Sequence, residues 1–240
     1  MSTHIVPLNN QVHSHLKVQN KALFKSFAED HLIPVLLREF VGVAAEFPII
    51  FVKSENTGQF HCVAMMGLKR GQNLYCQGDS FPAGYIPQAL RNAPFSVTPK
   101  EEGSEELMIC IDESHELVNA HEGEALFDEQ GEQTEFLKAR GESVVRYISD
   151  TQMTLKFMQM LLEKDLLVSR DMKISMKNGE EFVLNGIYVI DEQKVNSLSL
   201  EDLEVFRSRG LLSAIYAQLF SMQQIHRLTR KYIEVNGDNK

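Results

Sequence analysis

The chain has 240 residues, 43% hydrophobic and 24% charged, enough to bury a sizeable core, and this composition excludes a disordered chain except at its ends. Its formal charge of -9 is uneven: residues 101–135 hold thirteen carboxylates and no Lys or Arg, and removing them from the 33 leaves 20 acidic against 24 basic residues. No basic stripe interleaved with aromatics remains, which argues against DNA or RNA as a partner.

Residues 1–18 are polar, carry His4, His13 and His15, and lack the basic-then-apolar pattern of a secretory leader. From 34 to 45, Leu36, Leu37, Phe40, Val41 and Ala44 share one helical face, with Pro34 at a tolerated first-turn position. This predicts a short helix packed on a sheet. The most apolar window, 41–52, contains Glu46 and Pro48 and is far shorter than the ~20 residues of a bilayer span. No transmembrane segment and a cytoplasmic location are therefore expected. Residues 48–53, 60–68, 72–76 and 106–112 read as strands, with turn residues at 54–58 and 69–71, predicting an antiparallel meander. Cys62, Cys76 and Cys110 lie far apart in apolar surroundings, as reduced, packed thiols would.

All seven prolines precede residue 100, and the character of the chain changes there. In 142–167, Val144, Ile148, Thr151, Leu155, Met158 and Leu162 recur at steps of four and three, predicting a helix with one apolar seam. Residues 173–176 and 181–190 flank Asn178-Gly179, a dipeptide that accepts the positive φ angles of a hairpin turn. Ser199 with Asp202 is a helix-start signal, Gly210 a separator, and Leu212, Ile215, Leu219, Met222, His226, Thr229 and Ile233 a second seam, expected to pack antiparallel on the first. The predicted fold class is α+β: mainly antiparallel sheet with packed helices, then a helix-hairpin-helix module. The expected divisions are 1–112 (strand-rich), 113–139 (acidic irregular connection) and 140–240 (the module), packed on the first region as one unit.

Three places could carry chemistry. Gly78-Asp79-Ser80 with Asp112 and His115 matches blocks of a serine esterase, but the two blocks are too close in the chain for that fold, and G-x-S-x-G is absent. Asp112, Glu113, His115 and His121, with Glu116, Glu122 and Glu124, combine imidazole and carboxylate donors suited to iron, zinc or manganese. Because His115 and His121 are six apart, one helix turn does not bring them together as H-E-x-x-H does, and a solvated acidic loop is the competing reading. Phe81, Tyr85 and Pro87, followed by Arg91 and Phe95, put aromatics on a proline-ordered loop, either plugging a core edge or forming a partner-binding rim.

Taken in order, Val6-Pro7-Leu8 with His15, Ala45-Glu46-Phe47-Pro48 running into Phe51-Val52-Lys53, and Gly67-Leu68 with Asn73-Leu74 form a recognisable series. It continues through Gly84-Tyr85-Ile86-Pro87 with Pro94-Phe95, then Cys110-Ile111-Asp112-Glu113, residues 123–128, and Gly186 with Ile190-Asp191-Glu192 and Leu198. The whole resembles the SapC family, named from a surface-layer-protein secretion locus. The family often carries tryptophan before the Tyr-Ile-Pro turn, where this chain has Phe81. The resemblance brings no catalytic residues. The lack of a convincing catalytic constellation, beside an acidic segment and an aromatic loop, leads to the expectation of a cytoplasmic accessory protein of an export or uptake system that recognises a protein or peptide and needs no cofactor. The alternative is a metal-dependent, possibly oxidative enzyme holding iron or zinc at Asp112, Glu113, His115 and His121.

Overall fold

The computed structural model describes residues 4–100, 106–176 and 179–237. Its first elements are β1 (Ile5–Pro7), α1 (Asn10–His13), β2 (Lys17–Val18), β3 (Leu32–Pro34), α2 (Phe40–Ala44), β4 (Ile49–Lys53) and β5 (Phe60–Met65). Next come β6 (Phe95–Pro99), β7 (Leu107–Asp112), β8 (Val118–Asn119), β9 (Glu124–Ala125) and α3 (Glu135–Glu163). The chain ends on β10 (Leu167–Ser175), β11 (Glu181–Ile190), α4 (Glu192–Asn196), α5 (Leu200–Ser208), α6 (Leu212–Ser221) and α7 (Ile225–Asn236). Every strand pairing is antiparallel, and the fold is α+β as expected.

Packing groups these elements into two interleaved units rather than along linear boundaries at 112 and 139. One unit comprises Met1–Leu23 with Leu90–Ser149; the other comprises Phe24–Ala89 with Asp150–Lys240. The reason is strand pairing. In the first unit β7 lies between β1 and β6, so Ile5 sits opposite Asp112. The expected 48–112 meander is thereby split, because β4 and β5 belong to a different sheet.

Residues 113–139 are not an irregular connection. β8 and β9 flank β2 in a small sheet, and Leu117, Leu126 and Phe127 enter a core with Phe95, Ile111, Leu137 and Val144. The carboxylates of Glu116, Glu122, Glu124, Asp128, Glu129, Glu132 and Glu135 stay exposed, so burying the apolar residues costs no charge desolvation. Gly123 adopts φ +109, and a Cβ there would lie 2.4 Å from the Val18 carbonyl oxygen, so only glycine permits this approach.

The second unit is a five-stranded sheet in the order β10-β11-β4-β5-β3. Residues 72–76 are not a strand; the Asn73 side chain accepts from the Tyr75 N–H and turns the backbone, while Leu74 N–H donates to the Met66 carbonyl. The predicted 34–45 helix starts late, as a 3-10 turn at Leu37–Glu39 running into α2, because Glu39 accepts from the Leu36 N–H and closes the turn there. α3 begins earlier and ends earlier than its seam predicts. Its buried positions in this unit are Asp150, Thr154, Phe157, Met158 and Leu161, while Leu155 and Leu162 are exposed. The shift follows two polar residues: Thr154 accepts from the Leu37 N–H at 2.8 Å, and Asp150 Oδ1 lies 3.2 Å from Arg38, an ion-pair distance without hydrogen-bond alignment. Phe157 meets Phe40 edge-on, seating α3 on α2.

The helix, hairpin and helices follow in the predicted order, and Ser199 caps α5 as expected. Asn178 lies outside the described residues; Gly179 has φ +86. The long final helix is divided into α6 and α7 by a 3-10 turn at Met222–Gln224. The buried face of α6 is Ala214, Ile215, Ala217, Gln218 and Ser221, not the predicted seam through Leu219 and Met222. α6 packs on α2, β4 and β11. Gln218 and Ser221, fully buried, clamp it. Gln218 accepts from Ile190 N–H at 3.1 Å and donates to the Ile49 carbonyl at 2.9 Å, and Ser221 Oγ accepts from Ile49 N–H at 2.9 Å.

Candidate functional site

The aromatic loop is largely core. Phe81 is 7% exposed, stacked on Phe24 at 5.2 Å and packed near Phe47 and Tyr75, so it is no partner-binding rim. Pro87 is buried too. Phe95, 4% exposed, belongs to the core of the first unit, and Arg91, of that same unit, is exposed. The expected five-residue rim therefore does not exist as a surface, because Phe81, Pro87 and Phe95 are needed to fill cores. Tyr85 is half-buried: its ring lies over Gly42, where a Cβ would come within 2.7 Å, and its hydroxyl donates to Glu39 Oε1 at 2.9 Å. Glu39, also buried, accepts from Leu36 N–H and Gln88 N–H as well, so three donors hold one carboxylate and fix the loop.

The acidic donor set is engaged within the protein. Asp112 Oδ1 accepts from the Ser114 hydroxyl at 2.6 Å and from the Ser114 and His4 N–H groups. Burial pushes the Asp112 carboxyl up, but these hydrogen bonds and nearby His115 outweigh it and hold the carboxyl below its ordinary range. Glu113 lies 2.9 Å from His4 Nδ1 and 3.0 Å from His13 Nε2. The His13 ring, buried, accepts from Asn9 N–H at Nδ1, so both its nitrogens are used. His115 Nδ1 accepts from Leu117 N–H, and His121 is exposed. Asp112, Glu113, His115 and His121 are thus not gathered around one point. Among the described residues no group of three or more His, Cys, Asp or Glu side chains could hold a metal ion. The esterase match fares no better: the Ser80 hydroxyl donates to the Gln77 carbonyl, and Asp112 is turned to Ser114. The three thiols are free, and burial pushes each of them up, Cys76 to about 11, which makes them poor nucleophiles at neutral pH.

The cavity with binding character lies in the second unit, beside β10. It measures about 610 Å3. Met172, Ile174, Val189, Leu219, Met222 and Ile225 form an apolar floor, and Arg170, Lys173, Glu192 and His226 a polar rim. Apart from Val189, the floor residues are half-buried, neither sealed in the core nor fully wet. Two features of the fold create it. α6 covers β11 and β4, leaving β10 at the end of the sheet order; and α6 and α7 turn their 219, 222, 225, 226 and 229 side to it. Among the described residues no strand pairs with the outer edge of β10. Arg170 and Met172, two apart in β10, share the side that borders the groove, and a bulge on β11 between Leu184 and Ile187 shifts the register there. Alongside, Tyr216 and Phe220 stack at 6.4 Å on α6, with Phe220 64% exposed.

The sequence matches the family model described as SapC over residues 8–228. The chain belongs to the SapC family. No curated protein and no solved structure matches it. Among the described residues of this SapC chain, no helix is long and apolar enough to cross a membrane. The sequence does single out Met222 and His226 as residues of the second seam. It does not reveal the groove, because the seam puts His226 on the packed face, whereas the ring is exposed. The available signal is an alternation of apolar Met172 and Ile174 with charged Asp171 and Lys173 in a strand that ends its sheet.

Proposed function

We propose that this SapC chain is a cytoplasmic accessory protein of an export or uptake system, and that it holds an extended segment of a protein partner in the groove beside β10. The observation that carries the reading is the conjunction of a free strand edge with an apolar floor. An unpaired edge offers backbone N–H and C=O groups to an added strand, while alternate side chains of that strand find apolar pockets. Arg170, Asp171 and Lys173 discourage two copies of the chain from pairing edge to edge, yet leave the edge available to a complementary partner. Lys173 is paired with Glu181 at 2.8 Å, and Arg170 and Glu192 balance on the rim, so the segment favoured is read by its apolar side chains rather than by a net charge. Methionines at 172 and 222 adapt to varied side chains, as suits an accessory protein with more than one client sequence. The locus for which the family is named supports the export setting.

Peptides selected from a random display library against the full chain test this reading. A selected peptide, labelled and followed by fluorescence anisotropy, should bind Met222→Glu and Ile174→Glu at least ~10-fold more weakly than the parent, because a charge on the floor removes a central contact. Val183→Glu, at an exposed apolar position outside the groove, should bind as the parent does. Equal affinity for all of these variants would place binding elsewhere and overturn the reading.

A further inference from the structure

α7 borders a second cavity with its 227, 230, 231 and 234 side. It measures about 310 Å3 and is lined by Glu46, Tyr75, Arg227, Arg230, Lys231 and Glu234 among others. Three cations face two carboxylates, leaving one positive charge over. Arg227 is committed: it lies 2.9 Å from Glu46 Oε2 and donates to the Ala45 carbonyl at 3.1 Å. Lys231 Nζ is 3.6 Å from Glu234, a loose pairing, and Arg230 is exposed, with no ion-pair partner among the described residues.

The second observation is Tyr75. It is 3% exposed, and its hydroxyl is buried with no hydrogen-bond partner. Burial pushes its pKa up to about 12, so at neutral pH it is a protonated donor. Tyr75 lines the cavity, and the charges that act on it, Arg227, Glu46 and Glu234, line it too. Buried polar groups in folded proteins nearly always find a partner, and an orphan donor lining a cavity with one cation over is suited to an acceptor carrying negative charge. From this juxtaposition we propose that the cavity binds a small oxyanion, a carboxylate or phosphate group, held by the Tyr75 hydroxyl, Arg230 and Lys231, with the Arg227–Glu46 pair as a fixed wall. Binding includes a rotamer change that uncovers the hydroxyl, and Arg230 and Lys231 are the side chains not pinned by a short ion pair. Glu46 and Glu234 limit the charge the site accepts, favouring a single anionic group over a polyanion.

The test titrates the full chain with inorganic phosphate and, separately, with sodium acetate, each against sodium chloride at matched ionic strength, read by thermal melting and calorimetry. At least one anion should raise the melting temperature beyond chloride. Tyr75→Phe and Arg230→Gln should each weaken that binding by about 10-fold or more, the worth of one hydrogen bond to a charged group. Without anion, Tyr75→Phe should melt no lower than the parent, since it removes an unpaired donor. A response to phosphate alone assigns a phosphoryl ligand, to acetate alone a carboxylate, and to both an oxyanion read by charge and hydrogen bonding. If neither anion exceeds chloride, or both variants respond as the parent does, the site is overturned. Should Tyr75→Phe fold poorly, Arg230→Gln, at an exposed position, decides the question by itself.

Discussion

Replacing Gln218 by leucine tests how the groove's helix is held. Gln218 is fully buried, and its amide satisfies two backbone groups, Ile190 N–H and the Ile49 carbonyl, one at the end of β11 and one at the start of β4. Leucine fits the volume but leaves both groups without a partner. Each buried unsatisfied group costs about 1–3 kcal/mol, so the pair costs about 2–6 kcal/mol, offset by ~1 kcal/mol from the more apolar side chain. The expected net loss is therefore about 1–5 kcal/mol, centred near 3. With urea m-values of ~1–3 kcal/mol/M, the central value is a fall of roughly 1–3 M in the midpoint, with m unchanged. Equilibrium urea unfolding followed by circular dichroism and tyrosine fluorescence measures it, the chain having no tryptophan. A midpoint within ~0.3 M of the parent would refute the clamp.

Phe81→Ala should cost about 3–5 kcal/mol in the same assay, as removal of a buried stacked phenyl ring does, whereas Tyr85→Phe should cost about 1–3 kcal/mol by depriving Glu39 of one donor; a negligible cost for Phe81→Ala would restore that ring to the surface. Asp112→Asn should destabilise the chain at neutral pH, and the difference from the parent should close as pH falls below 3.8, the ordinary value. The sign follows because a carboxyl whose folded pKa is depressed adds stability above its unfolded pKa and loses it as pH drops through the folded one; a gap that widens on acidification would contradict the hydrogen-bonded carboxylate. Because the acidic donors are already engaged by Ser114, His4 and His13, dialysis against a chelator should leave the melting temperature unchanged, and a large fall would bring back the metal-centre reading.

Local signals in the sequence carried the elements, and distant partners decided how they met. β4, β5, β7 and β11 were visible as apolar, β-branched runs, and α3 as a four-and-three period, because these depend on neighbours within the element. The face that α3 buries was not visible. Asp150 and Thr154 count as polar in any periodicity; the Thr154 hydroxyl donates to the Asp150 carbonyl one turn back, but Arg38 and Leu37, more than a hundred residues upstream, complete their pairing. Gln218 and Ser221 misled in the same way, their partners being backbone groups at 49 and 190. The aromatic loop shows the converse failure. Phe81 and Tyr85 look alike on either side of Pro82, yet Phe24 and Phe47 draw one into the core, while Glu39 anchors the other by its hydroxyl. Interleaving of the two units was hidden because it rests on distant strand pairs, β1 with β7 and β2 with β8 and β9. The groove escaped notice since it is made by what β10 lacks, a strand on its outer edge, and no residue type announces that.

Hydrogen exchange of the full chain, alone and saturated with a library-selected peptide, tests the central claim most directly. If the peptide adds as a strand, the amides of Leu167–Ser175 that point away from β11 gain hydrogen bonds and should exchange at least ~10-fold more slowly on binding, with smaller protection at the 219–229 side of the groove. Protection confined to other segments, such as 81–91 or 116–135, with β10 exchanging as in the free chain, would contradict it.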